Sequence, residues 1–182
     1  MSKNILVLTG SPRKGGNTDK LAGAFISGAQ QAGHTTVKFS TADKNIQGCI
    51  ACQTCFSKGS ACSIPDDFAK LAPLLEKADM VVFASPLYWF TFSAQLKAAI
   101  DKFYSFLIGK RPLKVKECAL LVCGGGTELN VYDGIIKSYK LIANFLNWKD
   151  CGIIIVPGLH DKDEILKTDG LQRAEALGKS IK

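Results

Sequence analysis

The sequence predicts an α/β protein with a doubly wound, five-stranded parallel sheet and helices on both of its faces. Two observations support this prediction. Five short apolar runs are spaced along the 182 residues, and an amphipathic stretch separates each run from the next. Each of these stretches is long enough to return the chain for parallel pairing. At this length and strand count we expect one domain, residues 1–182, with the strand order 2-1-3-4-5.

The predicted strands are short apolar runs bounded by turn-forming residues. The first, NILVLT, is continuous and aliphatic, as in a strand buried on both faces, and Gly10 and Pro12 end it. The second, TVKFS, alternates between apolar and polar residues. The five predicted strands are Asn4–Thr9, Thr36–Ser40, Met80–Ser85, Glu117–Cys123 and Cys151–Gly158.

The predicted helices have apolar residues at helical spacing. Gly33 stands where the first helix should end, and Asp66 and Asp67 suit the first turn of the second, although Pro73 interrupts its interior. The five predicted helices are Asn17–Ala32, Asp66–Ala78, Ser93–Leu107, Tyr132–Asn147 and Lys162–Lys179.

Composition excludes several classes of function. The formal charge of +7 is spread along the chain without an Arg-rich block, which argues against nucleic-acid binding. No apolar run approaches the roughly 20 residues of a membrane span, so we expect no membrane partner. The N-terminus runs straight into the first strand without a cleavage site, which favours a cytoplasmic protein.

The first loop, GSPRKGGNT, has the composition of an anion site. It is not a Walker A loop, because Asn17 stands where that motif needs Lys, and it lacks G-x-G-x-x-G. We expect Gly15 and Gly16 to leave backbone N–H groups free at a helix N-terminus, a setting that suits a phosphate monoester held without metal. The polar side chains around them are Ser11, Arg13, Asn17 and Thr18. The alternative is a solvated turn in which Asn17 or Thr18 caps the helix.

Two further loops are predicted at the same edge of the sheet. After Pro86 come five large apolar side chains, Leu87, Tyr88, Trp89, Phe90 and Phe92. A flat aromatic ligand, a partner subunit or a cap over the core would each account for them. The fourth strand ends in CGGGTE, whose glycines allow close approach of a ligand or form a flexible turn. In a doubly wound sheet the carboxyl ends of these strands meet.

Four cysteines form a compact C-x2-C-x2-C-x6-C run: Cys49, Cys52, Cys55 and Cys62. In a cytoplasmic protein this density indicates metal binding rather than disulfides, and the spacing would let four thiolates surround a cubane cluster. Tetrahedral zinc, an empty reduced loop and thiol–disulfide exchange remain alternatives. The other cysteines, Cys118, Cys123 and Cys151, are expected to be small buried apolar residues rather than metal ligands.

The sequence shows no catalytic acid–base or nucleophilic constellation. His34 is expected in the turn after the first helix and His160 after the fifth strand, each as an incidental polar residue. We therefore predict no catalytic side chain, because a bound redox cofactor could supply the chemistry.

The segments TGSPRKGGNTDKL and ASPLYWFTFSAQLKAAIDKF, with the Cys-rich loop at about residues 45–65, resemble the flavodoxin-like NADPH-dependent FMN reductase superfamily, and within it the iron–sulfur flavoproteins. The resemblance implies a flavodoxin-like fold and a 4Fe–4S cluster beside FMN. It implies that the isoalloxazine rests against Pro86–Trp89 and that the Gly124–Thr127 loop lies on its other flank. The implied FMN phosphate ligands are Ser11, Arg13, Asn17 and Thr18. The complete expected set adds Gly16, Cys123, Gly124, Gly125, Gly126 and Thr127.

The resemblance also implies a function. We expect an FMN-dependent oxidoreductase that takes electrons from NADPH or NADH and passes them to a small molecule, such as a quinone or free flavin, or to a redox protein. A homodimer or homotetramer is expected. The first alternative is a non-catalytic flavodoxin-type electron carrier, although such carriers are usually acidic and this chain is basic. The second is a zinc-stabilised interaction module.

Overall fold

In the computed structural model, which describes residues 1–182, five parallel strands form one sheet in the order β2-β1-β3-β4-β5. The predicted fold class and strand order are therefore confirmed. The strands are β1 Asn4–Thr9, β2 Thr35–Ser40, β3 Met80–Pro86, β4 Glu117–Cys123 and β5 Lys149–Val156. Their ends differ from the predicted ones by two residues or fewer.

Helices cover both faces of the sheet. Alternate strand residues point to opposite faces, so Leu6 and Leu8 enter one core while Ile5 and Val7 enter the other. The helices are α1 Asn17–Gln31, α2 Phe68–Lys77, α3 Ala94–Asp101, α4 Tyr104–Ile108, α5 Asp133–Phe145 and α6 Gly170–Ser180. Helices α1 and α6 pack over the core of Ile5, and α2 to α5 pack over the core of Leu6.

Two predicted helices are each divided in the structure. The predicted helix Ser93–Leu107 stops at Asp101 and resumes at Tyr104. The break turns the Lys102 side chain inward to a buried carboxylate, while Phe103 remains in the core. The predicted helix Lys162–Lys179 consists of a short 3-10 helix, Glu164–Lys167, followed by α6.

Two sequence-based expectations about polar residues are wrong. Asp66 and Asp67 precede α2 instead of forming its first turn, because their carboxylates bind the backbone N–H groups of Gln47 and Asn45, both 2.8 Å away. His34 is buried rather than incidental. Its Nδ1 accepts a hydrogen bond from the Lys3 N–H at 3.2 Å, and its Nε2 lies 3.0 Å from the Ile181 carbonyl. His34 thus joins both ends of the chain.

No helix has the length and apolar character required to cross a bilayer.

Candidate functional site

The carboxyl ends of β1, β3, β4 and β5 surround a cleft of about 220 Å³. Every lining residue except Leu159 and His160 belongs to the set predicted from the sequence. The lining residues are Ser11, Arg13, Asn17, Thr18, Pro86, Leu87, Tyr88, Cys123, Gly124, Gly125, Leu159 and His160. The predicted residues Gly16, Trp89, Gly126 and Thr127 do not line the cleft.

The N-terminus of α1 opens toward this cleft without a side-chain cap. Gly16 occupies the N-cap position, so the alternative with Asn17 or Thr18 as the cap is wrong. The N–H groups of the first helical turn have no acceptor within the helix, and the helix dipole favours an anion at this end.

The N–H groups of Gly15 and Gly16 are not free donors, so the prediction made from their composition is wrong. The Gly15 N–H donates to the Asp19 carboxylate at 3.0 Å, and the Gly16 N–H donates to the Arg13 carbonyl at 3.0 Å. Lys38 pairs with the same carboxylate at 2.8 Å. Burial of Asp19 raises its pKa, but the bonds from Lys38 and Gly15 outweigh this effect, so the pKa is lowered. The two glycines therefore fix the loop, and the donors left for an anion are those of α1.

The floor of the cleft joins α1 to β4. The Thr18 hydroxyl is buried and lies 3.2 Å from Sγ of Cys123. Burial raises the pKa of the Cys123 thiol above its ordinary value. The thiol is therefore neutral at pH 7 and would not itself repel an anion bound above it.

The segment after β5 closes over the first loop, residues 10–18, and we call residues 158–165 the strap. Arg13 Nη1 donates to the His160 carbonyl at 3.2 Å, and Asn17 Nδ2 donates to the Asp161 carbonyl at 2.8 Å. Lys20 pairs with Asp163 at 2.6 Å. The strap thus orients the side chains predicted to bind the anion. It also brings His160, regarded as incidental in the sequence, to the cleft wall.

The aromatic loop after β3 divides its side chains among three environments. Tyr88 and Thr91 exchange two backbone hydrogen bonds of 3.1 Å, with Trp89 and Phe90 at φ +44° and +65° in the turn between them. Tyr88 lines the cleft, Phe92 is buried in the core, and Trp89 and Phe90 are 91% and 55% exposed. Trp89 therefore belongs to the outer surface rather than to the cleft wall.

The glycine loop after β4 forms the opposite wall. A Cβ on Gly125 would lie 2.7 Å from the His160 ring, so a larger residue here would displace this exposed side chain. The Tyr132 hydroxyl lies 3.0 Å from the Gly124 carbonyl and 3.1 Å from that of Gly126. Burial raises the pKa of Tyr132 to about 12, so this hydroxyl remains protonated as a donor to the loop.

The four clustered cysteines line a second, smaller cavity. Cys49, Cys52, Cys55 and Cys62 all face it, and none forms a disulfide. Hydrogen bonds from Thr54 and Ser63 lower the pKa of Cys52 to about 7. Burial, reinforced by the other three sulfurs, raises the pKa of Cys55. No three His, Cys, Asp or Glu side chains meet closely enough to hold a single metal ion, so the four thiols surround a space instead of converging on one point.

A buried ion pair closes the base of the cysteine loop. Lys102 and Asp66 are paired with side chains only 1% and 0% exposed. Asp66 also accepts the N–H of Phe68 at 3.0 Å. Lys102 lines the cysteine cavity, so this pair connects the loop to the end of α3.

Comparison with known proteins agrees with this architecture. Residues 3–131 match the model of the NADPH-dependent FMN reductase family. An iron-sulfur flavoprotein of Archaeoglobus fulgidus is 33% identical, over 96% of this chain and 76% of that protein. An iron-sulfur flavoprotein of Methanocaldococcus jannaschii is 30% identical, over 97% and 94%. In fold, an NAD(P)H:quinone oxidoreductase from Methanothermobacter marburgensis superposes with a TM-score of 0.78 at 21% identity, covering 98% of this chain and 96% of that one.

The fold, the cleft and the family match together define a flavodoxin-like, FMN-dependent NAD(P)H oxidoreductase. The chain belongs to the NADPH-dependent FMN reductase family. The family resemblance and the class of function predicted from the sequence are therefore confirmed.

Proposed function

We propose that FMN binds in the 220 Å³ cleft, with its phosphate at the N-terminus of α1. The observation that supports this most strongly is the placement of Ser11, Arg13, Asn17 and Thr18 around uncapped N–H donors, with apolar Pro86 and Leu87 further along the same cleft. One end of the cleft thus suits a phosphate and the other a flat ring.

The protein's part in this chemistry is binding and orientation. Bound FMN supplies the capacity to accept a hydride from NADPH or NADH and to release electrons to a quinone, a free flavin or a redox protein. Pro86, Leu87 and Tyr88 would limit the ring on one side, and Gly124 and Gly125 would admit it closely on the other. The strap would hold Arg13 and Asn17 in place before the cofactor arrives.

Comparing FMN with riboflavin tests the placement of the phosphate. We expect Arg13→Gln to weaken FMN binding roughly 10- to 100-fold, the value of one charge-assisted hydrogen bond of about 1.5–3 kcal/mol, and to leave riboflavin binding unchanged. The control is Lys14→Gln, an exposed neighbour that does not line the cleft. Equal losses for both ligands, or no loss for either, would contradict a phosphate at this position.

We further propose that Cys49, Cys52, Cys55 and Cys62 hold a 4Fe–4S cluster. Four unpaired thiols around one cavity are the donor set that such a cluster requires, and both curated relatives described above are named iron-sulfur flavoproteins. The cavity measures only about 10 Å³, which is too small for a cluster. Cluster binding would therefore displace the exposed segment that carries Cys49 and Cys52. Free thiols of this kind suit the reducing cytoplasm.

Iron and sulfide analysis of anaerobically purified protein, with its visible spectrum, tests this assignment. We expect a broad absorption near 400 nm that bleaches on reduction and disappears when any of the four cysteines is changed to Ser. The control is Cys151→Ser, which lies outside the cavity. Stoichiometric zinc would contradict the cluster and indicate a zinc site. Flavin bands alone would also contradict it and would indicate an empty reduced loop or thiol–disulfide exchange.

We also propose that the chain forms a homodimer or a homotetramer. Trp89 and Phe90 are exposed beside the cleft, and a second exposed apolar group, Leu107, Leu141 and Phe145, lies between α4 and α5. Apolar surface of this kind is typical of subunit contacts. Sedimentation as a monomer at micromolar concentration would contradict the proposal.

A further inference from the structure

Ser105, on α4, has a buried hydroxyl without a hydrogen-bond partner. The residue is 3% exposed, and its Oγ is the only buried side-chain nitrogen or oxygen that no other group satisfies. Ser105 lines the cavity of the four cysteines. The residue that carries the only unsatisfied polar side-chain atom of the interior therefore lines the proposed cluster site.

The backbone of Ser105 does not need the hydroxyl. Its N–H donates to the Lys102 carbonyl at 3.0 Å, and its carbonyl accepts the Gly109 N–H at 2.8 Å. A buried hydroxyl without a partner destabilises a folded protein. A ligand that accepts its hydrogen bond would remove this cost.

The neighbouring side chains indicate which atom would accept. Lys102 carries only donors, and its ammonium already pairs with Asp66. The Ser63 hydroxyl is paired with that of Thr54 at 2.5 Å. The other polar side chains that line the cavity are Gln53, Tyr104 and the four cysteines. Among their atoms, sulfur that carries negative charge would be the strongest acceptor, because a charged acceptor forms the stronger hydrogen bond.

We propose that the Ser105 hydroxyl donates a hydrogen bond to a sulfur atom of the cluster that the four cysteines hold. This inference rests on the proposed cluster and adds a residue from outside the cysteine motif. A hydrogen bond to sulfur favours the reduced cluster, because reduction increases the negative charge on its sulfur atoms. Ser105 therefore raises the reduction potential of the cluster and slows its loss.

The test compares Ser105→Ala, which removes only the hydroxyl, with Ser105→Thr, which retains one. The control is Ser138→Ala, a half-buried helical serine on α5 that does not line the cavity. We expect a lower cluster potential in Ser105→Ala than in wild type, by anaerobic redox titration, and several-fold faster release of iron to a chelator. Ser105→Thr and Ser138→Ala should match wild type in potential.

Thermal unfolding provides a second test, because the effect of Ser105→Ala on the unfolding temperature should have opposite signs in cluster-free and in cluster-loaded protein. In cluster-free protein Ser105→Ala should unfold at a higher temperature than wild type, because it removes an unpaired hydroxyl; in loaded protein it should unfold at a lower one. Loaded wild type and Ser105→Ala with equal potentials would overturn this inference alone. Wild-type protein that binds no iron under reconstitution would overturn the proposed cluster, and this inference with it.

Discussion

Lys102 and Asp66 form an ion pair that is almost completely shielded from water, beneath the cysteine loop and at the break between α3 and α4. Lys102 Nζ also lies 5.7 Å from the centre of the Phe68 ring. Removing one member of such a pair leaves a buried charge without a partner. We therefore expect Lys102→Met to lower the free energy of unfolding by about 3–5 kcal/mol, measured by urea denaturation.

The double variant Lys102→Met/Asp66→Asn separates the buried charge from packing. It removes both charges, while the introduced amide oxygen can still accept a backbone hydrogen bond, so it should recover a large part of the loss. The matched control is the exposed pair Lys97–Asp101 on α3, where Lys97→Met should cost about 0.5 kcal/mol or less. If Lys102→Met lowered the free energy of unfolding no more than Lys97→Met does, the buried pair would contribute little to stability.

The wall between β4 and the strap provides a second prediction. Gly125→Ala places a methyl group within 2.7 Å of the His160 ring, so this ring must turn at the cleft wall that both residues line. We expect FMN affinity to fall at least about tenfold, which corresponds to roughly 1.4 kcal/mol, by fluorescence titration. Gly23→Ala is the control, since a Cβ there meets nothing within 4 Å. It should leave FMN binding unchanged and raise helix stability by about 0.5–1 kcal/mol. Unchanged FMN affinity in Gly125→Ala would contradict the role of this wall.

The sequence predicts the sheet and much of the cleft because those features depend on local patterns. A run such as NILVLT predicts β1, and the doubly wound topology then brings the ends of β1, β3 and β4 together. The strap could not be predicted in this way, because the Arg13–His160 contact joins residues 147 positions apart. Periodicity contains no information on such a pair.

Two further predictions from the sequence are wrong for local reasons that only the packing of the folded chain shows. The helix predicted through Ser93–Leu107 has unbroken helical spacing, and the buried Asp66 opposite Lys102 accounts for the break. Gly15 and Gly16 have the composition of free donors, yet their N–H groups bind Asp19 and Arg13. In both cases the partner of a polar group, and not its position along the chain, determines its role.

Close packing of α1 against α6 leads to a third prediction. A Cβ on Gly28 would lie 2.0 Å from the Glu175 carbonyl oxygen, and helix backbone cannot yield as a side chain can. Gly28→Ala should therefore lower the free energy of unfolding by about 1–3 kcal/mol, despite the higher helix propensity of Ala. Gly23→Ala, on the same helix, should change it in the opposite direction. Stabilisation of both variants would show that α6 can move aside.

The fourth prediction concerns acid stability at the start of the sheet. Asp79 accepts the Asn4 N–H at 2.8 Å and pairs with Lys114 at 3.0 Å. The hydrogen bond from Asn4 is the largest cause that lowers the pKa of Asp79, with Lys114 adding to it. A carboxyl whose pKa is lower in the folded state stabilises the fold above its unfolded pKa of about 3.9. This contribution to stability is lost as the pH falls through the pKa that Asp79 has in the folded protein.

Asp79→Asn should therefore be less stable than wild type at pH 7, by about 1 kcal/mol because the site is partly screened by solvent. The difference should shrink steadily as the pH falls from about 4 toward 2.5, where the wild-type carboxyl becomes protonated. Urea denaturation across this range measures both free energies. Glu76→Gln is the control, an exposed carboxylate on α2 with no hydrogen bond or ion pair, and it should show no such convergence. A difference between Asp79→Asn and wild type that stays constant down to the acid end of this range would mean that the Asp79 charge does not stabilise the junction of β1 and β3.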